Sequence, residues 1–140
     1  MAADQPSAES GWCRGNGVAE SSNKPVFVSL YNSPVAGKKY RAIFYNRFKE
    51  EIGSTDFGAD GYRDFTLIND PDSPVYIENE EDRLDVRDKY IRRHKQSGTE
   101  NWSDPMTAGA LSRFVLWEEP TLEASWRKYL KSFGLKSLPM

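Results

Sequence analysis

Residues 121–135 read TLEASWRKYLKSFGL, and one period runs through them. Leu122, Trp126, Tyr129 and Phe133 stand at i, i+4, i+7 and i+11, a single apolar stripe on an α-helix. Thr121 supplies a capping hydroxyl in front, and Gly134 supplies the residue that can turn left-handed behind, with Leu135 just beyond. A helix so one-sided needs an apolar surface to cover. The rest of the chain must provide it.

Two more helices are expected upstream. Pro120 closes one whose stripe is Met106, Ala110, Phe114 and Trp117, widened by Leu111 and Val115. Ser103-Asp104-Pro105 reads as its cap followed by proline at the first helical position. The other begins at Asn79-Glu80-Glu81-Asp82, a cap followed by acids, and ends in Arg92, Arg93, His94 and Lys95 before Ser97-Gly98. Leu84, Ile91 and His94 or Lys95 fall on one face of it, with Val86 and Tyr90 alongside.

The first half has strand chemistry. Residues 25–31 (PVFVSLY) are extended in composition, and residues 38–45 (KKYRAIFY) set Tyr40, Ala42 and Phe44 against Arg41, Ile43 and Tyr45. Residues 46–53 make a polar connection, residues 54–59 a short returning strand, and residues 62–68 (YRDFTLI) a third extended piece after the Asp60-Gly61 turn. Strands first and helices after predict an α+β fold, a small antiparallel sheet of three or four strands packed against three C-terminal helices. At 140 residues this is one domain, spanning residues 25–140, and residues 1–24 read as a disordered tail.

Composition narrows the function. The formal charge is −2 and the mean hydropathy −0.72, so no global field draws the chain to nucleic acid or acidic membranes. No run is long enough to insert in a membrane, and Cys13 has no disulfide partner within the chain. An intracellular place is expected, cytoplasmic or within a virion or other large complex, not secreted. No cofactor or metal is expected, because a single histidine and a single cysteine do not make a ligand set. Asp56-Phe57-Gly58 copies a kinase tripeptide without the other kinase motifs. As a calcium loop it lacks the closing acid, since Leu67 stands where a glutamate belongs.

The remaining candidate region is residues 92–105, RRHKQSGTENWSDP. Arg92, Arg93, His94 and Lys95 with Trp102 offer a binding edge for a protein partner, and Trp12 in the tail a docking anchor. Successive helical residues point in different directions, so the four basic residues do not form one patch. The leading expectation is a non-enzymatic structural or interaction module, a minor component of a larger protein assembly. The alternative is nucleic-acid binding through Arg92, Arg93 and Lys95 with Lys38, Lys39 and Arg41. An enzyme using His94 oriented by Glu100 or Asp104 ranks last.

Residues 57–66 (FGADGYRDFT), 88–95 (DKYIRRHK) and 100–113 (ENWSDPMTAGALSR), with Leu116-Trp117, Pro120-Thr121-Leu122 and Phe133-Gly134, resemble a family of small uncharacterised proteins. Its members occur in large DNA viruses of algae and amoebae and in some protists. The resemblance runs from residue 38 to residue 135 and departs over residues 73–86, which read as extra chain. It implies a shared fold and the context of an assembly. It brings no activity, so it assigns no catalytic residue.

Overall fold

A computed structural model describes residues 22–138. Strands β1 (Phe27–Asn32), β2 (Lys38–Tyr45) and β3 (Glu51–Ala59) are followed by helices α1 (Phe65–Ile68), α2 (Glu80–Ser97), α3 (Ala108–Leu111) and α4 (Leu122–Phe133). A short strand, β4 (Lys136–Ser137), ends the described chain. The fold is α+β: a four-stranded sheet ordered β3-β2-β1-β4 with the helices of the second half laid over it.

The sheet carries the alternation of β2 into three dimensions. Val28 pairs with Phe44, Leu30 with Ala42, and Tyr40 with Phe57, which puts all of them on the covered face. Val28, Ala42, Phe44 and Phe57 are fully buried there. Leu111, Val115, Leu116, Trp117, Tyr129 and Leu135 close the core from above. The hydroxyl of Tyr129 donates to the Pro105 carbonyl at 2.6 Å, which fastens α4 to the segment before α3.

Residues 121–135 fold as read. Thr121 accepts from the Ala124 amide, Gly134 takes φ 65°, and the Leu135 amide reaches back to the Leu130 carbonyl at 2.9 Å. That reversal delivers the chain to the open edge of β1, where β4 pairs parallel with Phe27 and Val28. The sheet is therefore mixed and not purely antiparallel. A two-residue strand has no sequence period, so nothing before it announces the pairing.

Three segments differ from expectation. Residues 62–68 are not a strand: Asp64 accepts from the Leu67 amide at 3.0 Å and from Thr66 Oγ1 at 2.5 Å, capping α1. Phe65 and Ile68, three apart, then share the buried side of one helical turn. The Asn46–Glu50 connection is shorter than read. Asn46, buried, accepts from the Phe48 and Glu50 amides and lets β3 begin at Glu51. Helix α3 starts at Ala108, capped by Thr107, and not at Pro105; residues 104–107 form a turn in which Asp104 Oδ1 accepts from the Met106 amide. It widens into a π turn, Ser112–Leu116. The wider turn rotates Val115 and Leu116 inward and leaves Phe114 only partly covered.

Helix α2 has the predicted ends, Asn79 accepting from the Asp82 amide and Gly98 at φ 70°. Its covered face is not the one expected. Leu84 is exposed, and no residue of the helix is fully buried. The inward stripe is Arg83, Val86, Arg87, Tyr90 and His94. Arg83 Nη1 donates to the Ile77 carbonyl at 2.6 Å, and Arg87 Nε to the Trp117 carbonyl at 2.9 Å.

Of the first 24 residues, Ser22, Asn23 and Lys24 are described. The Ser22 carbonyl accepts from Asn46 Nδ2 at 2.9 Å, which joins that point to the β2–β3 connection. The expected tail over residues 1–21, with Trp12 and Cys13, lies outside the described residues.

Candidate functional site: a basic cleft beneath α2

Helix α2 crosses above the end of β3 without filling the space below it. The result is a cleft of about 520 Å³. Val86, Lys89, Tyr90, Arg93 and His94 form one wall, a helical stripe at i, i+3, i+4, i+7 and i+8. Gly58, Ala59, Tyr62, Arg63 and Asp64 form the opposite wall, on the turn from β3 to α1. Lys39, Ser112, Leu116 and Trp117 make the floor.

The floor is tight because of one glycine. Gly58 takes φ 82°, and a Cβ there would sit 2.9 Å from Leu116 Cδ1 and 3.2 Å from Lys39 Cβ. Without a side chain at that point, Lys39 lies flat under the turn. Its Nζ donates to Asp64 Oδ2 at 2.6 Å and to the Tyr62 carbonyl at 2.7 Å. The pair is well covered, with side-chain exposures of 13% and 3%. Asp64 thus caps α1 and neutralises Lys39 at once.

The α2 wall is built on stacked rings. Tyr90 lies parallel to Trp117, centroids 4.1 Å apart and planes within 7°, and His94 covers its other side at 4.2 Å. Burial, with the nearby Glu100 charge adding to it, pushes the Tyr90 phenol up to about 12. His94 Nδ1 lies 2.9 Å from Glu100 Oε2 across the turn after α2. Carboxylate contact at Nδ1 places a proton on that nitrogen. Of the two acids named from sequence, Glu100 is the partner and Asp104 is not. Gly109 leaves room for it: a Cβ on Gly109 would fall 2.0 Å from Glu100 Oε1.

The predicted site residues separate. Arg93 and His94 line the cleft; Arg92 and Lys95, both exposed, do not. Trp102 is half-buried, edge-on to Phe114 at 6.3 Å and beneath the Arg113 guanidinium at 5.6 Å, and it holds the turn against the π segment. Two members of the broader basic surface expected for nucleic acid are ion-paired. Lys39 is held by Asp64, and Arg41 by Asp56 through hydrogen bonds of 3.0 and 3.1 Å.

Tyr62, Arg63, Lys89 and Ser112 also line the cleft, and no local pattern marks them. Each lies in a different local context, and only the crossing of α2 over the β3–α1 turn brings them together. Tyr62 is 73% exposed at the mouth. On its far side lies a second depression of about 290 Å³, with Leu67, Pro74 and Val75 in its wall and Lys39 and Tyr62 shared with the first.

Behind the cleft, Glu118 gathers Arg87, Arg113 and Lys128. Burial opposes the charged form of its carboxyl, but hydrogen bonds from Lys128 and Arg113 outweigh that and hold it below the usual range. This cluster ties α2, the π turn and α4 together and belongs to the scaffold. Among the described residues, no group of three or more His, Cys, Asp or Glu side chains is arranged to hold a metal ion. No helix among them is long and apolar enough to cross a membrane.

Comparison with known proteins adds one match. A family described as a family of unknown function, DUF5754, matches residues 28–73. That stretch runs from β1 through α1 and carries Lys39, Gly58, Tyr62, Arg63 and Asp64 of the cleft, stopping before α2. No curated protein and no solved structure matches the chain.

Proposed function

We propose that this chain is a non-enzymatic interaction module of a larger protein assembly, and that it docks an acidic segment of a protein partner in the cleft beneath α2. The observation that carries the reading is the charge of the cleft. Lys39, Arg63, Lys89 and Arg93 line it in a chain whose net charge is −2, and its one lining acid, Asp64, is already spent on Lys39. Exposed Tyr62 at the mouth adds the kind of rigid aromatic on which interfaces are anchored. The resemblance to small proteins of large DNA viruses and protists supports the context of an assembly.

A second reading rests on the His94–Glu100 contact, which has the form of a base oriented by an acid. It ranks lower because, among the described residues, no nucleophile is hydrogen-bonded to the ring. The nucleic-acid alternative loses support with the neutralisation of Lys39 and Arg41.

Size-exclusion chromatography with light scattering on the chain recovered from its own cells separates these readings. Co-elution with other polypeptides, stable when nucleic acid is digested, is the expected result. A nucleic-acid signal that vanishes with salt, or a bare single chain that turns over substrate through His94, would overturn it.

A further inference from the structure

From the same cleft we infer a narrower ligand: a phosphorylated side chain on the partner's docking segment. This rests on the reading of the cleft as the docking site. Four cations line it. Asp64 neutralises Lys39, and Asp85 lies 3.0 Å from Lys89, which leaves a net charge of +2. Neither Arg63 nor Arg93 has a carboxylate within ion-pair distance among the described residues, although acids outnumber bases in the chain. Arg93 is held only loosely, 6.0 Å from the Tyr90 ring centroid.

Two unpaired guanidiniums on facing walls suit a group with several acceptor oxygens. A carboxylate carries one charge and is satisfied by one arginine fork. A phosphate monoester carries −1.5 to −2 near neutral pH and presents three oxygens, so it matches both the charge and the number of donors. Ser112 adds a hydroxyl that can donate to the lining.

The surroundings point to a protein-borne phosphate. The second depression, beyond Tyr62, is walled by Leu67, Pro74 and Val75. A charged recess and an apolar recess flank one exposed ring, an arrangement that fits an extended segment with a phosphorylated residue followed closely by an apolar one. A free anion would have no use for the second recess.

The test is NMR titration of the whole chain with three probes. One is an acidic peptide carrying phosphoserine two residues before a leucine; the others are the same peptide unphosphorylated, and inorganic phosphate. The phosphopeptide is expected to bind at least about tenfold more tightly than either of the others, moving Arg63, Arg93 and Val75 resonances together. Arg63→Gln with Arg93→Gln, both at exposed positions, should abolish that preference while the thermal melt is unchanged. Equal binding of the two peptides, lost in the double variant, would overturn the phosphate and leave the docking cleft standing. Inorganic phosphate binding as tightly as the phosphopeptide would overturn the protein-borne source. No shift at cleft residues with any probe would overturn the ligand class and count against the cleft itself.

Discussion

Replacing Gly109 with alanine should release His94 while leaving the fold intact, because two effects of similar size oppose each other. The new Cβ would lie 2.0 Å from Glu100 Oε1, where real contacts begin near 3.0 Å, so the carboxylate must retreat by about 1 Å. The His94 contact at 2.9 Å does not survive such a move. Losing a partly exposed, charge-assisted hydrogen bond costs about 1 kcal/mol. Gly109 lies within α3, where alanine gains up to about 1 kcal/mol of helix propensity. The unfolding free energy should therefore change by less than about 1 kcal/mol. Nitrogen NMR of the imidazole reads the other half: a proton held on Nδ1 is expected in the parent, and a mixture of tautomers in the variant. An unchanged tautomer would show that Glu100 does not fix the ring. A loss above about 2 kcal/mol would show that the carboxylate cannot leave, and that Gly109 is a packing requirement of the core.

Other outcomes follow from the same contacts. Asp64→Asn keeps a capping oxygen for α1 but leaves Lys39, 13% exposed, with the Tyr62 carbonyl and no counter-charge, and should cost about 3 kcal/mol in denaturant unfolding; a neutral result would mean that the ion pair does not hold the floor. Tyr129→Phe removes the bond to the Pro105 carbonyl and should cost about 1–2 kcal/mol, seen as a lower denaturation midpoint. The depressed Glu118 carboxyl contributes stability that is complete above pH 4.5 and lost as pH falls through its folded value. Glu118→Gln should therefore flatten the acid limb of the stability curve, and an unchanged limb would refute the assignment. Tyr90, pushed up to about 12, contributes stability that is complete below pH 10 and lost as pH rises toward 12. The parent should therefore show a late tyrosinate absorbance step that Tyr90→Phe removes.

What the sequence made legible is what depends on local period and caps. Leu122 to Phe133 repeat at helical spacing for three turns, and the β2 alternation separates Ala42 and Phe44 from Arg41 and Ile43 in the structure as in the text. Short elements were not legible. One turn of helix at Phe65–Ile68 has the same apolar content as a strand, and only the Asp64 bond to the Leu67 amide distinguishes them. The inward face of α2 was missed because its anchors are Arg83 and Arg87, residues whose composition says surface while their guanidiniums reach buried carbonyls. Of the cleft, Arg93 and His94 could be named from one stretch of sequence, together with Glu100, which contacts His94 from outside it. Arg63, Tyr62 and Lys89 could not, because their proximity arises from a helix crossing that no local pattern encodes.

On the proposed reading, the cleft beneath α2 holds this chain in its assembly. The most direct measurement is the mass of the complex recovered from cells expressing either the parent or Arg63→Glu with Arg93→Glu, taken by light scattering after size exclusion. We predict a mass well above 16.0 kDa for the parent and a single-chain mass for the charge-reversed form, with both forms equally stable to heat. Equal masses for the two would contradict the claim, because the partner would then be held elsewhere or not at all.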